Sequence, residues 1–366
     1  MTGASLAERL ATRITAHGPL LVSEFVEAAL YDERDGFYAT VGRAGREGDF
    51  LTAPEVGPLF GAVIASAVDE WWTAAGRPDR WTVAEHGAGP GTLARAVLAA
   101  EPACLREGAL VWHAVERSAA QRDLHPVHPA VVPTAPDAVP PDDGTGPAST
   151  PVDVVLANEL LDDLPFDIVE FDGAAWREVR VGLAGGTASF VDVLGAPVPD
   201  EGRPEAPPHT RLPVQRAAGA WLASILTAHP TARIVVFDYA ATTAELIERS
   251  PDWLRVYRGH DRPADWRADP GSCDITTDVD LDQLTRHHPP GRTTTQAAFL
   301  REHGIGALVA EGRAVWEAGA AVGDLAALRA RSRIREAEAL LDPAGMGGFA
   351  VVEWEPDGKG RSPLVG

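Results

Sequence analysis

Before residue 80 the apolar positions recur at helical spacing; after it they gather into short continuous runs. LVSEFVEAALY (21–31) places Phe25, Ala28 and Ala29 on one face, and LFGAVIASAVDEWW (59–72) is long and apolar. Between them DERDGFYATVGRAGREGDFLTAPE (32–55), rich in glycine and charge, predicts a long loop, and long ordered loops in compact domains tend to be functional. From residue 81 the pattern predicts strands at WTVAEH (81–86), LVWHAVE (110–116), VDVVLAN (152–158) and RIVVFDY (233–239), with a shorter candidate at VVP (131–133). Helices are predicted over TLARAVLAA (92–100) and over 213–228. Continuous apolar strands alternating with helices indicate a parallel sheet covered on both faces.

The remaining segments are less regular. IVEFDGAAWREVRV (168–181) has strand-like arms around Asp172-Gly173 and predicts a hairpin. VPDEGRPEAPP (198–208) and TAPDAVPPDDGTGPASTP (134–151) are Pro- and Gly-rich connections. TTTQAAFLREHGI (293–305) predicts a capped helix, residues 311–341 are helical in pattern, and GGFAVVEWE (347–355) predicts a closing strand. There is no internal repeat.

Composition narrows the function classes. A chain of 366 residues with 45% apolar content supplies a core for one large or two closely joined domains. No run approaches the ~18 apolar residues that would span a bilayer. The Ala- and Arg-rich opening MTGASLAERLATRITAHGPL has a transit-peptide flavour, but Glu8 and its continuation into a patterned segment favour an ordinary first helix. The expectation is a soluble, cytoplasmic protein with no membrane partner. Cys104 and Cys273 are the only cysteines, too few for a disulfide framework or a Cys-rich zinc site. A net charge of −21 argues against nucleic-acid backbone as a ligand and tolerates a basic partner. Lys359 is the sole lysine, so neither a Schiff-base lysine nor a Walker-type lysine is expected in the core.

The stretch with the clearest chemistry is EHGAGPGTLAR (85–95). A dinucleotide fingerprint reads GxGxxG, whereas Gly87, Gly89 and Gly91 give GxGxG, and no lysine follows as a phosphate loop requires. Glu85 at the end of the strand completes an acid-x-GxGxG pattern, as in class I S-adenosylmethionine methyltransferases. There the glycines let backbone approach the methionine part of the cofactor, and the following helix offers N–H groups to its carboxylate. Glu116, at the end of the next strand, is placed to accept both ribose hydroxyls, a role it would equally fill for a dinucleotide. LANELLDDLP (156–165) puts Asn158, Glu159, Asp162 and Asp163 at the carboxyl end of a further strand, where open α/β sheets bring substrate to cofactor. Capping of the next helix is the alternative for that acidic run.

Taken together, GDFLTAPEVGPLFG (48–61), EHGAGPGTLAR, HAVERSAAQR (113–122), LANELLDDLPFDIVEF (156–171) and WREVRV (176–181) resemble the MidA-type methyltransferase family. FDYA (237–240), DIT (274–276) and TQAAFLREHGI (295–305) extend the likeness, which runs from about Gly18 to the closing strand. The resemblance implies an α/β fold: a Rossmann-like seven-stranded class I methyltransferase core with helical N-terminal elements and an inserted hairpin and helical region. Residues 1–80 would form a helical segment with a cofactor-covering loop. Residues 81–366 would form the core, with a substrate region inserted at about 166–230. S-adenosyl-L-methionine is the implied cofactor, held by Gly87, Gly89, Gly91, Glu85 and Glu116, with Thr52, Pro54 and Glu55 closing the site and Asn158 at its inner end.

The family's mitochondrial members act as protein arginine methyltransferases in assembly of respiratory complex I, so the resemblance implies methyl transfer to an arginine-bearing protein. Glu159 would orient the guanidinium, with Asn158 beside it and Asp162, Asp163 or Glu55 as second carboxylate. A small-molecule O- or N-methyltransferase and a cofactor-binding assembly factor without catalysis are the alternatives. The sequence departs from the family at Leu160 and Asp163, where Phe and Ala are common, and at His86, Ala119-Ala120 and Ala240. No metal is expected: His287-His288 precede two prolines, and His125 and His128 lie among prolines with no acid close by. Ser118 lacks a nucleophile elbow, and Trp71-Trp72 reads as core or interface. The 311–341 segment leaves packing and homodimer formation both open.

Overall fold

A computed structural model describes residues 3–40, 51–138, 151–185, 189–199, 201–258, 265–319 and 325–356. The middle of the expected 32–55 loop, most of the 134–151 connection and Lys359 lie outside these residues. The chain forms two compact units, one of residues 51–159, 224–238 and 289–366, the other of residues 1–50, 160–223 and 239–288.

The first unit is built on a seven-stranded sheet. Its strands are β1 (Trp81–His86), β2 (Leu110–Val115), β3 (Val131–Thr134), β4 (Val154–Asn158), β5 (Arg233–Asp238), β6 (Arg292–Thr295) and β7 (Ala350–Trp354), in the order β3-β2-β1-β4-β5-β7-β6. The first five are parallel neighbours, and β7 runs antiparallel to both β5 and β6. Every residue of β1 is buried, which is why its apolar run does not alternate. The helix Pro58–Ala74 packs against the helix Thr92–Ala100. Gly61 permits the close approach, because a Cβ there would fall on Ala96.

The second unit centres on an antiparallel sheet. The expected hairpin is present as Asp167–Phe171 and Trp176–Leu183, turned at Gly173 with φ +97°. Three further strands join it: Leu20–Leu21, Phe190–Pro197 and Arg211–Val214. Phe25, Val26, Ala29 and Leu30 of the helix Val22–Tyr31 are buried in the core of this unit.

The units cut the chain elsewhere than the expected boundary after residue 80. Residues 51–80 belong with the seven-stranded sheet, whereas the first helices belong with the antiparallel one, where Leu20 and Leu21 pair with Val181 and Arg180. The expected loop at 32–55 contains short helices at Phe37–Thr40 and Ala53–Val56. The helical pattern of 311–341 folds as two helices, Ile305–Gly319 and Leu325–Leu341, packed on one another. No helix among the described residues is long and apolar enough to cross a membrane.

Candidate active site

The glycine turn leaves β1 at His86. Gly87, Gly89 and Gly91 take φ values of +72°, +50° and +79°, a left-handed sequence that glycine adopts without cost. The N–H groups of Gly87 and Ala88 donate to the Val115 carbonyl, so the end of β2 fixes the start of the turn. Gly91 then opens the helix Thr92–Ala100 with no side chain capping it, leaving the first N–H groups for a ligand. A Cβ at Gly89 would meet nothing within 4 Å, so the space over that residue is open.

Glu116 sits just past β2. Its Oε2 accepts the Gly89 N–H at 3.0 Å and its Oε1 accepts the Ser118 N–H at 2.7 Å. Burial raises its pKa, opposed by those backbone hydrogen bonds. Glu85, expected at the cofactor, is buried, and Trp112 Nε1 donates to its Oε2 at 2.7 Å. Burial pushes Glu85 up to about 8, with the nearby Glu116 adding to the effect, so it is largely protonated at neutral pH. His86, one of the family departures, is driven the other way by burial, to about 4, and is neutral.

The segment from Thr52 to Glu55 is stitched to the same unit at several points. Thr52 precedes the short helix Ala53–Val56, and Pro54 is buried in its first turn. The Ala53 N–H donates to Glu159 Oε1 at 2.8 Å, and the Thr92 hydroxyl donates to Glu55 Oε1 at 2.7 Å. A few residues on, the buried Glu336 accepts the Leu59 N–H at 2.9 Å and so caps the helix Pro58–Ala74 from outside it.

Glu159 follows β4 with φ +48°, a conformation that costs a non-glycine residue about 1 kcal/mol or more. Its N–H donates to the Phe237 carbonyl at 2.8 Å, holding it in that conformation. Asn158 Nδ2 donates to Glu159 Oε1 at 3.0 Å, so one carboxylate oxygen gathers two donors, Ala53 and Asn158. Thus Ala53 and Asn158 converge on Glu159, Glu55 holds Thr92 at the start of the helix after the glycine turn, and Glu116 holds Gly89 within that turn.

The acids that follow Glu159 belong to the second unit. Asp162 is buried, accepts the Thr276 hydroxyl at 3.2 Å on Oδ2, and takes the Thr277 N–H on its carbonyl at 3.1 Å. Asp163 receives the Tyr38 hydroxyl at 2.6 Å on its carboxylate and the Tyr31 hydroxyl at 3.0 Å on its carbonyl. Among the described residues no group of three or more His, Cys, Asp or Glu side chains is arranged to hold a metal ion.

Sequence reasoning passed over His125, weighing it only as a metal ligand. Its Nε2 lies 2.9 Å from the Gly89 carbonyl oxygen. No short motif encodes that contact; a buried histidine among prolines just beyond Glu116 is its one trace.

A mainly parallel α/β sheet with a left-handed glycine turn after one strand and an acid after the next defines a nucleoside-cofactor protein. Which kind is settled by comparison. A family of S-adenosyl-L-methionine-dependent methyltransferases matches residues 63–294, well over half of the chain, and this chain belongs to that family. It is 28% identical over 331 residues to the mitochondrial protein arginine methyltransferase NDUFAF7 homolog of Drosophila melanogaster, covering 82% of this chain and 74% of that one. The mouse protein, mitochondrial protein arginine methyltransferase NDUFAF7, is 26% identical over 332 residues with the same coverage. A crystal structure from Burkholderia thailandensis, solved with S-adenosyl-homocysteine bound, superposes with a TM-score of 0.78 at 25% identity, over 97% of this chain and 92% of that one.

The protein is therefore an enzyme that uses S-adenosyl-L-methionine. Its residues fit that cofactor: the open space over Gly89 and the uncapped N–H groups after Gly91 leave room and donors, and Glu116 brings a carboxylate beside them. The expectation of a cytoplasmic protein is overturned by the curated relatives, which are named as mitochondrial.

Proposed function

We propose that this methyltransferase acts on a nitrogen of an arginine side chain carried by a protein. The relatives named as protein arginine methyltransferases support the acceptor class. The net charge of −21 suits a basic partner. The sheet is read as the Rossmann-like seven-stranded core of class I methyltransferases, supported by the strand order and by antiparallel β7 between β5 and β6. In this reading Gly87, Gly89 and Gly91 hold the methionine end and Glu116 the ribose. A carboxylate has about four acceptor positions, so Glu116 takes two hydroxyls while keeping the Gly89 and Ser118 N–H groups. Thr52, Pro54 and Glu55 cover the cofactor. Glu85 contributes indirectly, by tying β1 to Trp112 of β2.

Bound S-adenosyl-L-methionine supplies a methyl group that is already electrophilic, so alignment of the acceptor is the protein's main task. Glu159 performs it. Held on one oxygen by Ala53 and Asn158, its carboxylate pairs with the planar guanidinium and draws positive charge away from the attacking nitrogen. The same carboxylate receives the proton that this nitrogen sheds. Asn158 sets the orientation of Glu159. Asp162, expected beside them as a catalytic acid, is read as an anchor for the segment after Glu159, since it is buried and bonded to Thr276.

The observation that carries this reading is the clamp on Glu159 in a left-handed backbone. Incubation with radiolabelled donor and a cell lysate tests it. The wild type should label protein, whereas Glu159→Gln should not, although it still binds S-adenosyl-homocysteine. Label confined to small molecules would overturn the acceptor class. Cofactor binding with no label anywhere would leave an assembly factor without catalysis.

A further inference from the structure

The chain after Glu116 folds back onto the glycine turn. Ser118 caps the short helix Ala119–Arg122, and the turn that follows delivers His125, which is buried. A carbonyl only accepts, so the 2.9 Å contact with Gly89 places the imidazole hydrogen on Nε2. Burial lowers the pKa of this histidine, opposed by its hydrogen bond to the Gly89 carbonyl. The same ring and Pro126 stand where a side chain at Gly91 would have to go, at 3.2 Å and 2.9 Å from an added Cβ. Arg95 fastens the two segments together, donating from Nη2 to the Pro90 carbonyl at 2.7 Å and from Nη1 to the Leu124 carbonyl at 2.8 Å.

Gly89 is thus gripped from both sides. Its N–H goes to Glu116 and its carbonyl takes the His125 N–H. A glycine left to itself samples both signs of φ, and a turn that had to be ordered by the ligand would lose affinity for it. We infer that His125 is a positioning residue for the cofactor: by holding the Gly89 carbonyl it keeps the turn in its left-handed form and sets the affinity for S-adenosyl-L-methionine. This rests on the reading of the glycine turn and Glu116 as the cofactor site.

The test compares full-length His125→Phe, His125→Gln and Glu116→Ala with the wild type. Calorimetric titration with S-adenosyl-homocysteine reads affinity, and melting without ligand reads stability. His125→Phe fills the space but donates nothing, and its affinity should fall about tenfold, the worth of one hydrogen bond. Glutamine carries an N–H to the place of Nε2 and should recover most of the loss. Where phenylalanine unsettles the fold, His125→Asn makes the same comparison, because its shorter amide does not reach Gly89. Wild-type affinity in His125→Phe, or no recovery in His125→Gln, overturns the inference. If Glu116→Ala weakens binding and the histidine variants do not, the role of His125 alone fails. If Glu116→Ala also binds as wild type, the cofactor reading itself fails.

Discussion

Gly89→Ala and Gly91→Ala should fail in different ways. Both residues are left-handed, at φ +50° and +79°, so alanine costs about 1 kcal/mol at either from backbone conformation alone. At Gly91 the new methyl group also lies 2.9 Å from Pro126 Cδ and 3.2 Å from His125 Cδ2, on a ring that is itself hydrogen-bonded. That crowding adds about 1–2 kcal/mol more, the usual cost of overpacking. At Gly89 the methyl group touches nothing, so stability loses only the first amount. The methyl group instead projects into the space assigned to the cofactor and should cut its affinity by well over tenfold. Denaturant unfolding without ligand and calorimetric titration with S-adenosyl-homocysteine separate the two effects. Wild-type cofactor affinity in Gly89→Ala would refute the reasoning, because the openness over Gly89 would then serve no ligand.

Further outcomes follow from the same geometry. Glu159→Gln keeps an oxygen for the Ala53 N–H, so it should bind S-adenosyl-homocysteine normally and lose about 10²-fold or more in methyl transfer, as measured by label incorporation. Glu85 has its folded pKa raised from 4.5 to about 8, so its contribution to stability is complete at low pH and is lost as pH rises between those values. Glu85→Gln still accepts from Trp112 without a charge, and unfolding curves from pH 5 to 8 should show it less pH-dependent than the wild type, with the gap widest at pH 8. His86, lowered to about 4, acts in the opposite sense below its ordinary pKa, which is why the comparison is made against the variant. Glu336→Ala leaves the buried Leu59 N–H without its acceptor and should cost about 1–2 kcal/mol in unfolding free energy.

The sheet was legible because its central strands are buried on both faces. WTVAEH, VDVVLAN and RIVVFDY are continuous apolar runs that no amphipathic helix would show, and all three are strands of the sheet. Phe190–Pro197 and Arg211–Val214 were not expected as strands, and the second overlaps the start of the helix expected over 213–228, which begins at Arg216. The first alternates weakly, with exposed Val193 and Leu194, and the second carries Pro213. The division of the chain also escaped, since it depends on Leu20 and Leu21 pairing with residues some 160 positions away, which no local pattern records.

The left-handed glycine turn and the placing of Glu116 against it were legible because backbone conformation dictates one and strand-end position the other. The contact of Glu85 with Trp112 of the neighbouring strand has no local signature, because both faces of its strand are buried. His125 was missed because its partner is a backbone carbonyl, which has no signature in sequence.

The most direct test of methyl transfer to protein arginine is the chemical identity of the labelled product. The purified enzyme is incubated with methyl-labelled S-adenosyl-L-methionine and a lysate, and the labelled protein is hydrolysed to amino acids. Label recovered as methylated arginine, absent with Glu159→Gln, is the predicted result. Label in any other amino acid, or equal label from wild type and Glu159→Gln, would contradict the account.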